Sequence, residues 1–219
     1  MGPTAFIATS LSAGNIEIVE PNPVNFFHLL SSQFNNDFIS NWFLVNACVS
    51  NNNDNKVIGP LRGITTGSSD TNIRNQDQGG AQIFSLKLEE LLNEEEFSLI
   101  KIDIEGAEEL IVRDLRIPAN RNAAIWLSLH PPHFTDKKRF VEQLFALEND
   151  FIFVNSDNKP LSINVISKQI LSDDERPKWG TEWGNLFEIG LLPNKYFFLN
   201  GGTFSRDKSG SAVTVDTAA

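Results

Sequence analysis

The sequence predicts an α/β fold, a mostly parallel sheet with helices on both faces. Two observations predict it. Short apolar runs recur along the chain with helical patterns between them, and strands that alternate with helices imply βαβ units. Two of those runs, Ile16–Glu20 and Leu99–Asp103, also end in an acid. In an open α/β sheet ligands bind beyond the carboxyl ends of the strands.

Each element follows from local pattern. Residues Ile16–Glu20, IEIVE, alternate as a strand does. The next stretch, PNPVNFFHLLSSQF, places Val24, Phe27, His28, Leu29 and Leu30 at near-helical spacing, with Asn22 as N-cap and Pro23 at the first helical position. WFLVNACV (Trp42–Val49) predicts a second strand, SLIKIDI (Ser98–Ile104) a third and AAIWLSL (Ala123–Leu129) a fourth. A helix is expected to start near Gly106, after the third. Thr135 or Asp136 caps a helix whose Phe140, Leu144 and Leu147 repeat on one face. FIFV (Phe151–Val154) and KYFFL (Lys195–Leu199) predict further strands. From Asn51 to Gly80 the chain is rich in Gly, Ser, Thr, Asn and Asp, as functional lids and disordered loops are. Residues 1–204 are expected to form a single domain and 205–219 a disordered tail.

Composition narrows the function classes. The 219 residues are 41% hydrophobic and include 17 Phe and 4 Trp, enough for a sizeable core. A net charge of −10 argues against nucleic acid and anionic membrane as partners, because phosphate binding needs clustered Lys and Arg. The single cysteine, Cys48, excludes internal disulfides and cysteine-cluster zinc sites, and in its apolar run it reads as a buried inert thiol. No apolar stretch reaches the length of a bilayer span, and no basic region precedes an apolar core at the N-terminus. A cytoplasmic location is expected. The sequence does not fix an oligomeric state.

Negative charge concentrates at SLIKIDIEGAEEL, residues 98–110, where Asp103, Glu105 and Glu108 surround Gly106. Acids near a helix N-terminus offset the helix dipole, which accounts for Glu108 and also suits Glu105. Strand alternation puts Lys101, Asp103 and Glu105 on one face, as a polar pocket with internal charge pairing. Glu20 reads as a ribose-binding acid at a strand end, as a solvated strand end, or as a charge at the start of the following helix.

LIKIDIEGAE resembles the signature of the FkbM-type methyltransferases, a strand reading I-K-I-D-I/V-E-G-A-E. Ile18 to Pro23 resembles the acidic strand end of that family, F-E-P-N-P or similar. Phe84–Leu92 resembles the segment before the signature and Ala124–Pro132 the strand after it. The match covers about residues 3–155 and extends to the strand expected at Lys195–Leu199. It implies a seven-stranded Rossmann-like methyltransferase fold, S-adenosylmethionine as cofactor, and methyl transfer to oxygen of a sugar or other hydroxylated small molecule. Glu20 would then bind the cofactor ribose, Asn46 and Ala47 would lie where adenine packs, and Asp103 would lie near the methionine end and the acceptor. The family begins with a strand and a glycine-rich turn, commonly D-V/I-G-A-x-x-G. This chain starts at MGPTAFIATSL, which resembles the helix after that turn, so only Gly2 stands for its last glycine. The first strand is therefore expected to be missing.

O-methyl transfer requires a base to take the hydroxyl proton. His130, His133 and Asp103 are the candidates. His130 follows directly from the fourth strand and can titrate near neutrality. Asp103 and His130 are the catalytic pair expected here, with Glu105, His130 and His133 on the acceptor side, a small molecule or glycan. His28 falls on a mixed helix face and reads as structural. Nothing in the spacing fixes a metal site. The alternatives are a truncated or degenerate non-catalytic α/β module, and a nucleotide-sugar enzyme in which Glu20 still binds ribose.

Overall fold

A computed structural model describes residues 14–36, 41–53, 56–58, 73–74, 81–92, 97–104, 106–120, 122–155, 157–172, 188–194, 203–206 and 212–215. The chain divides into two compact units, Met1–Lys87 and Leu88–Ala219.

In the first unit β1 (Ile16–Val19) runs parallel to β2 (Trp42–Val45), with Ile16 opposite Trp42 and Val19 opposite Val45. The helix Pro23–Phe34 makes the crossover. Its start follows the sequence pattern: the Asn22 side chain accepts from the Val24 N–H at 2.9 Å, satisfying one of the free donors of the first turn. Leu29 on its inner side joins Ile18 and Trp42 in a small core that Ile16 and Leu44 extend. β3 (Cys48–Ser50) pairs parallel with β7 (Ser85–Lys87). β4 (Lys56–Ile58), β5 (Ile73–Arg74) and β6 (Ala81–Ile83) form an antiparallel ladder in the order β5-β4-β6, so strands occupy part of the stretch expected as one long loop.

The run Trp42–Val49 is one strand in the sequence reading and two in the structure. β2 belongs to the β1 ladder and β3 to the β7 ladder, with Asn46 and Ala47 between. Two donors impose the break. The Asn46 side chain donates to the Glu20 carbonyl at 2.8 Å, and the Cys48 N–H donates to the Phe84 carbonyl at 2.9 Å. Cys48 is free and buried.

The second unit holds a four-stranded sheet. β8 (Leu99–Ile102), β9 (Ala124–Ser128), β10 (Phe151–Val154) and β11 (Glu188–Pro193) stand in the order β10-β11-β9-β8. β8 is parallel to β9, and β11 is antiparallel to both β9 and β10. The carboxyl ends of β8, β9 and β10 therefore share one edge with the amino end of β11. After β8 the chain turns at Gly106, which has φ +99°, into a short helix Glu108–Ile111. Helix Lys137–Phe145 links β9 to β10, and its N-cap Asp136 accepts from the Arg139 N–H at 3.0 Å. Phe140, Leu144 and Leu147 are buried, as their spacing predicts, with Leu127, Ile166 and Phe151 in the same class of fully buried side chains.

The expectation for the sheet needs correction. The four leading strands do not form one mostly parallel sheet: β1 and β2 make a two-stranded ladder in one unit, while β8 and β9 belong to a mixed sheet in the other. The insertion of antiparallel β11 makes that sheet mixed. The sequence reading misses β11 and places a strand at Lys195–Leu199, which lies outside the described residues. It also misses helix Ile163–Leu171, although Ser162 caps it and Ile163, Ile166 and Ile170 are buried at helical spacing. Within the stretch read as a tail, β12 (Thr203–Arg206) pairs antiparallel with β13 (Ala212–Val215). No helix among the described residues is long and apolar enough to cross a membrane.

Candidate functional site

The acidic end of β1 is a closed turn. Glu20 N–H donates to the Val45 carbonyl at 3.0 Å, continuing the β1–β2 ladder one residue past the strand. Pro21 and Pro23 then bend the chain, and the Asn22 N–H donates to Glu20 Oε1 at 2.8 Å. Glu20 is only 6% exposed, so the reading of a solvated strand end does not apply. Burial pushes its carboxyl above the ordinary 4.5, and the Asn22 N–H offsets part of that rise. Asn46 donates to the carbonyls of Glu20 and Pro21, at 2.8 and 3.4 Å. Its amide group thus braces the turn, and Ala47 beside it is buried.

The second polar group sits on the shared edge of the four-stranded sheet. Strand alternation puts Lys101 and Asp103 on one side, and Lys101 Nζ lies 3.2 Å from Asp103 Oδ2. The same ammonium donates to Ser128 Oγ at 3.2 Å, at the end of β9, and stands 3.9 Å from Glu188 Oε1, at the start of β11. Ser128 Oγ in turn donates to Glu188 at 3.4 Å. Register explains the meeting, because Glu188 pairs directly with Ser128 in the β9–β11 ladder.

His130 joins this edge two residues after β9. Its Nε2 lies 3.6 Å from Asp103 Oδ1, beyond hydrogen-bond distance, and its Nδ1 lies 2.9 Å from Glu108 Oε1. Glu108 Oε1 also accepts from the Ile104 N–H at 3.2 Å. The Glu108 side chain is buried, and its Oε2 has no hydrogen-bond partner among the described residues. The Gly106 turn lets the chain approach this closely. A Cβ on Gly106 would overlap the Cβ of His133, whose ring meets that of His130 edge-on at 6.2 Å between centroids. The neighbouring Glu109 accepts from the Thr135 N–H at 3.0 Å, from the Thr135 hydroxyl at 2.9 Å and from the Asp136 N–H at 3.3 Å. Adjacent acids thus hold both ends of the loop from His130 to Asp136.

Of the residues singled out from sequence, Asp103 and His130 come together, with His133 alongside but exposed. Glu20, Asn46 and Ala47 meet at the other turn. Gly2 and Glu105 lie outside the described residues. The helix-dipole reading of Glu108 is incomplete: no side chain caps the helix Glu108–Ile111, and the carboxylate instead reaches back to Ile104 and across to His130. The sequence reading also misses Ser128, Glu188 and Glu109. A serine ending an otherwise apolar strand was the available signal for Ser128. Among the described residues no group of three or more His, Cys, Asp or Glu side chains could hold a metal ion.

No protein-family model matches the chain, and no curated protein matches it. Among solved structures, the chain is similar to the methyltransferase FkbM from Methylobacillus flagellatus KT. The identity is 14% and the TM-score 0.46, and the match covers 69% of this chain and 36% of the other. The chain thus spans about a third of that structure's length, and a likeness of this extent carries no conclusion about activity.

Proposed function

We propose that this chain is a methyltransferase that uses S-adenosylmethionine and methylates a hydroxyl of a sugar or other small molecule. The observation that carries the reading is the imidazole of His130, held between Glu108 and Asp103 at the carboxyl edge of β8 and β9. Both carboxylates come from the segment Leu99–Glu108, whose sequence resembles the methyltransferase signature. A general base must be held within reach of the proton it takes. Glu108 holds the Nδ1 side of the ring, and the Nε2 side faces the carboxylate of Asp103. An acceptor hydroxyl placed at Nε2 gives up its proton to His130, and Asp103 accepts a neighbouring hydroxyl of the same molecule and fixes its approach. Lys101 pairs with Asp103 and so keeps that carboxylate oriented.

The cofactor that this reading implies has to find a donor set here. Glu20 fits at one point: a carboxylate accepts at about four sites, and the Asn22 N–H and the Asn25 side chain occupy two of them. Ribose hydroxyls can use others. When bound, S-adenosylmethionine supplies the electrophilic methyl carbon.

The test is titration calorimetry with S-adenosylhomocysteine, on this chain and on one extended at its N-terminus to carry a glycine-rich turn. Transfer of labelled methyl is then assayed against a panel of sugars and hydroxylated small molecules. Glu20→Gln keeps an acceptor for the Asn22 N–H and removes the charge. It is expected to weaken cofactor binding about tenfold to a hundredfold, the worth of roughly 1.5–3 kcal/mol for hydrogen bonds to a charged group. Absence of binding by both chains overturns the reading and favours the non-catalytic module.

A further inference from the structure

Glu108 is an expensive residue in its position. Its side chain is 1% exposed, and Oε2 has no hydrogen-bond partner among the described residues. A buried carboxylate with an unpaired oxygen costs free energy that an apolar side chain of the same volume avoids. What the carboxylate adds is concentrated on the other oxygen. Oε1 accepts from the Ile104 N–H, which fixes the carboxyl group against the Gly106 turn, and it faces His130 Nδ1 at 2.9 Å. A carboxylate has no proton to give, so across this contact it accepts and the proton belongs to Nδ1. The hydrogen bond made by one ring nitrogen decides the state of the other.

We propose that Glu108 is a positioning residue: its buried carboxylate keeps the proton of the neutral His130 ring on Nδ1 and so leaves Nε2, on the side of Asp103, unprotonated. The position of that proton is a property of this chain alone. Its use in catalysis rests on the functional reading above, in which Nε2 takes the acceptor proton.

The test is nitrogen NMR on the full chain labelled in its histidines. There are three, His28, His130 and His133, and single substitutions assign them. In the wild type the neutral His130 ring is expected to carry its proton on Nδ1, with Nε2 giving the resonance of an unprotonated nitrogen. Glu108→Met fills the volume without an acceptor, and the two resonances should exchange places as the proton moves to Nε2. Glu108→Gln still offers a carbonyl oxygen and should preserve the wild-type spectrum. A role in packing alone predicts no such contrast. A wild-type ring protonated on Nε2 overturns the proposal even if Glu108→Met does not fold, and so does a Glu108→Met spectrum unchanged from wild type. In an active preparation Glu108→Met should lower turnover about a hundredfold or more, the worth of a general base, with little change in affinity for S-adenosylhomocysteine. The tautomer is read without cofactor or acceptor. A failed methyl-transfer assay therefore overturns the functional reading, and a wrong tautomer overturns this one.

Discussion

Gly106→Ala is expected to destabilise the protein by about 2–5 kcal/mol, from two separate costs. The first is conformational. Gly106 has φ +99°, and an L-residue forced to a left-handed backbone pays about 1–2 kcal/mol. The second is steric. The new methyl would overlap the Cβ of His133, with His133 Cγ at 3.3 Å and Cα at 3.5 Å. Cβ is bonded directly to the main chain, so no side-chain rotation moves it away, and the loop from His130 to Asp136 has to shift. Overpacking of this kind costs about 1–3 kcal/mol. The loop is also tied down by the Glu109 carboxylate, so the shift is resisted. The sum is a large fraction of the about 5–15 kcal/mol that holds a typical domain folded. Equilibrium unfolding in urea measures it as a lower midpoint at unchanged slope. Gly14→Ala is the control, since nothing lies within 4 Å of an added methyl there. It should stay within about 0.5 kcal/mol of wild type. A Gly106→Ala protein as stable as the control would refute both the turn geometry and its packing against His133.

Glu20 gives a pH dependence. Burial raises its folded-state value above 4.5, so its contribution to stability is full below that pH and is lost as pH rises through the raised value. Glu20→Gln lacks this loss, and the stability difference between variant and wild type should grow in the variant's favour across that window. Parallel urea midpoints through the window would contradict the burial argument. Glu109→Ala removes the acceptor shared by Thr135 and Asp136 and should cost about 1–3 kcal/mol, with faster hydrogen exchange at those two amides. Exchange rates equal to wild type would show that the loop is held by other contacts. Under the proposed function, Asp103→Asn should lower methyl transfer more than it lowers cofactor affinity, because its contacts are to Lys101 and His130. An equal loss in both would place Asp103 on the cofactor instead.

The sequence by itself determined the features whose causes are local. Asn22 and Pro23 start a helix because an N-cap acceptor and a fixed φ act within a few residues. Asp136 starts another in the same way, and the spacing of Phe140, Leu144 and Leu147 marks the face that is buried. The alternation of Lys101 and Asp103 already put their charges on one side of a strand, and they meet at 3.2 Å. Tertiary structure decided the rest. One apolar run, Trp42–Val49, serves two ladders because each half meets a different strand. β11 enters between β9 and β10 and brings Glu188 to Ser128, 60 residues away in sequence. Glu108 reads as a helix-end charge until β9 and the turn after it deliver His130, 22 residues on, to its carboxylate. A side chain's own chemistry and its periodicity are written along the chain. Its partner is chosen by strand register and backbone path, which depend on free energies summed over many distant contacts, and no short stretch of sequence contains that sum.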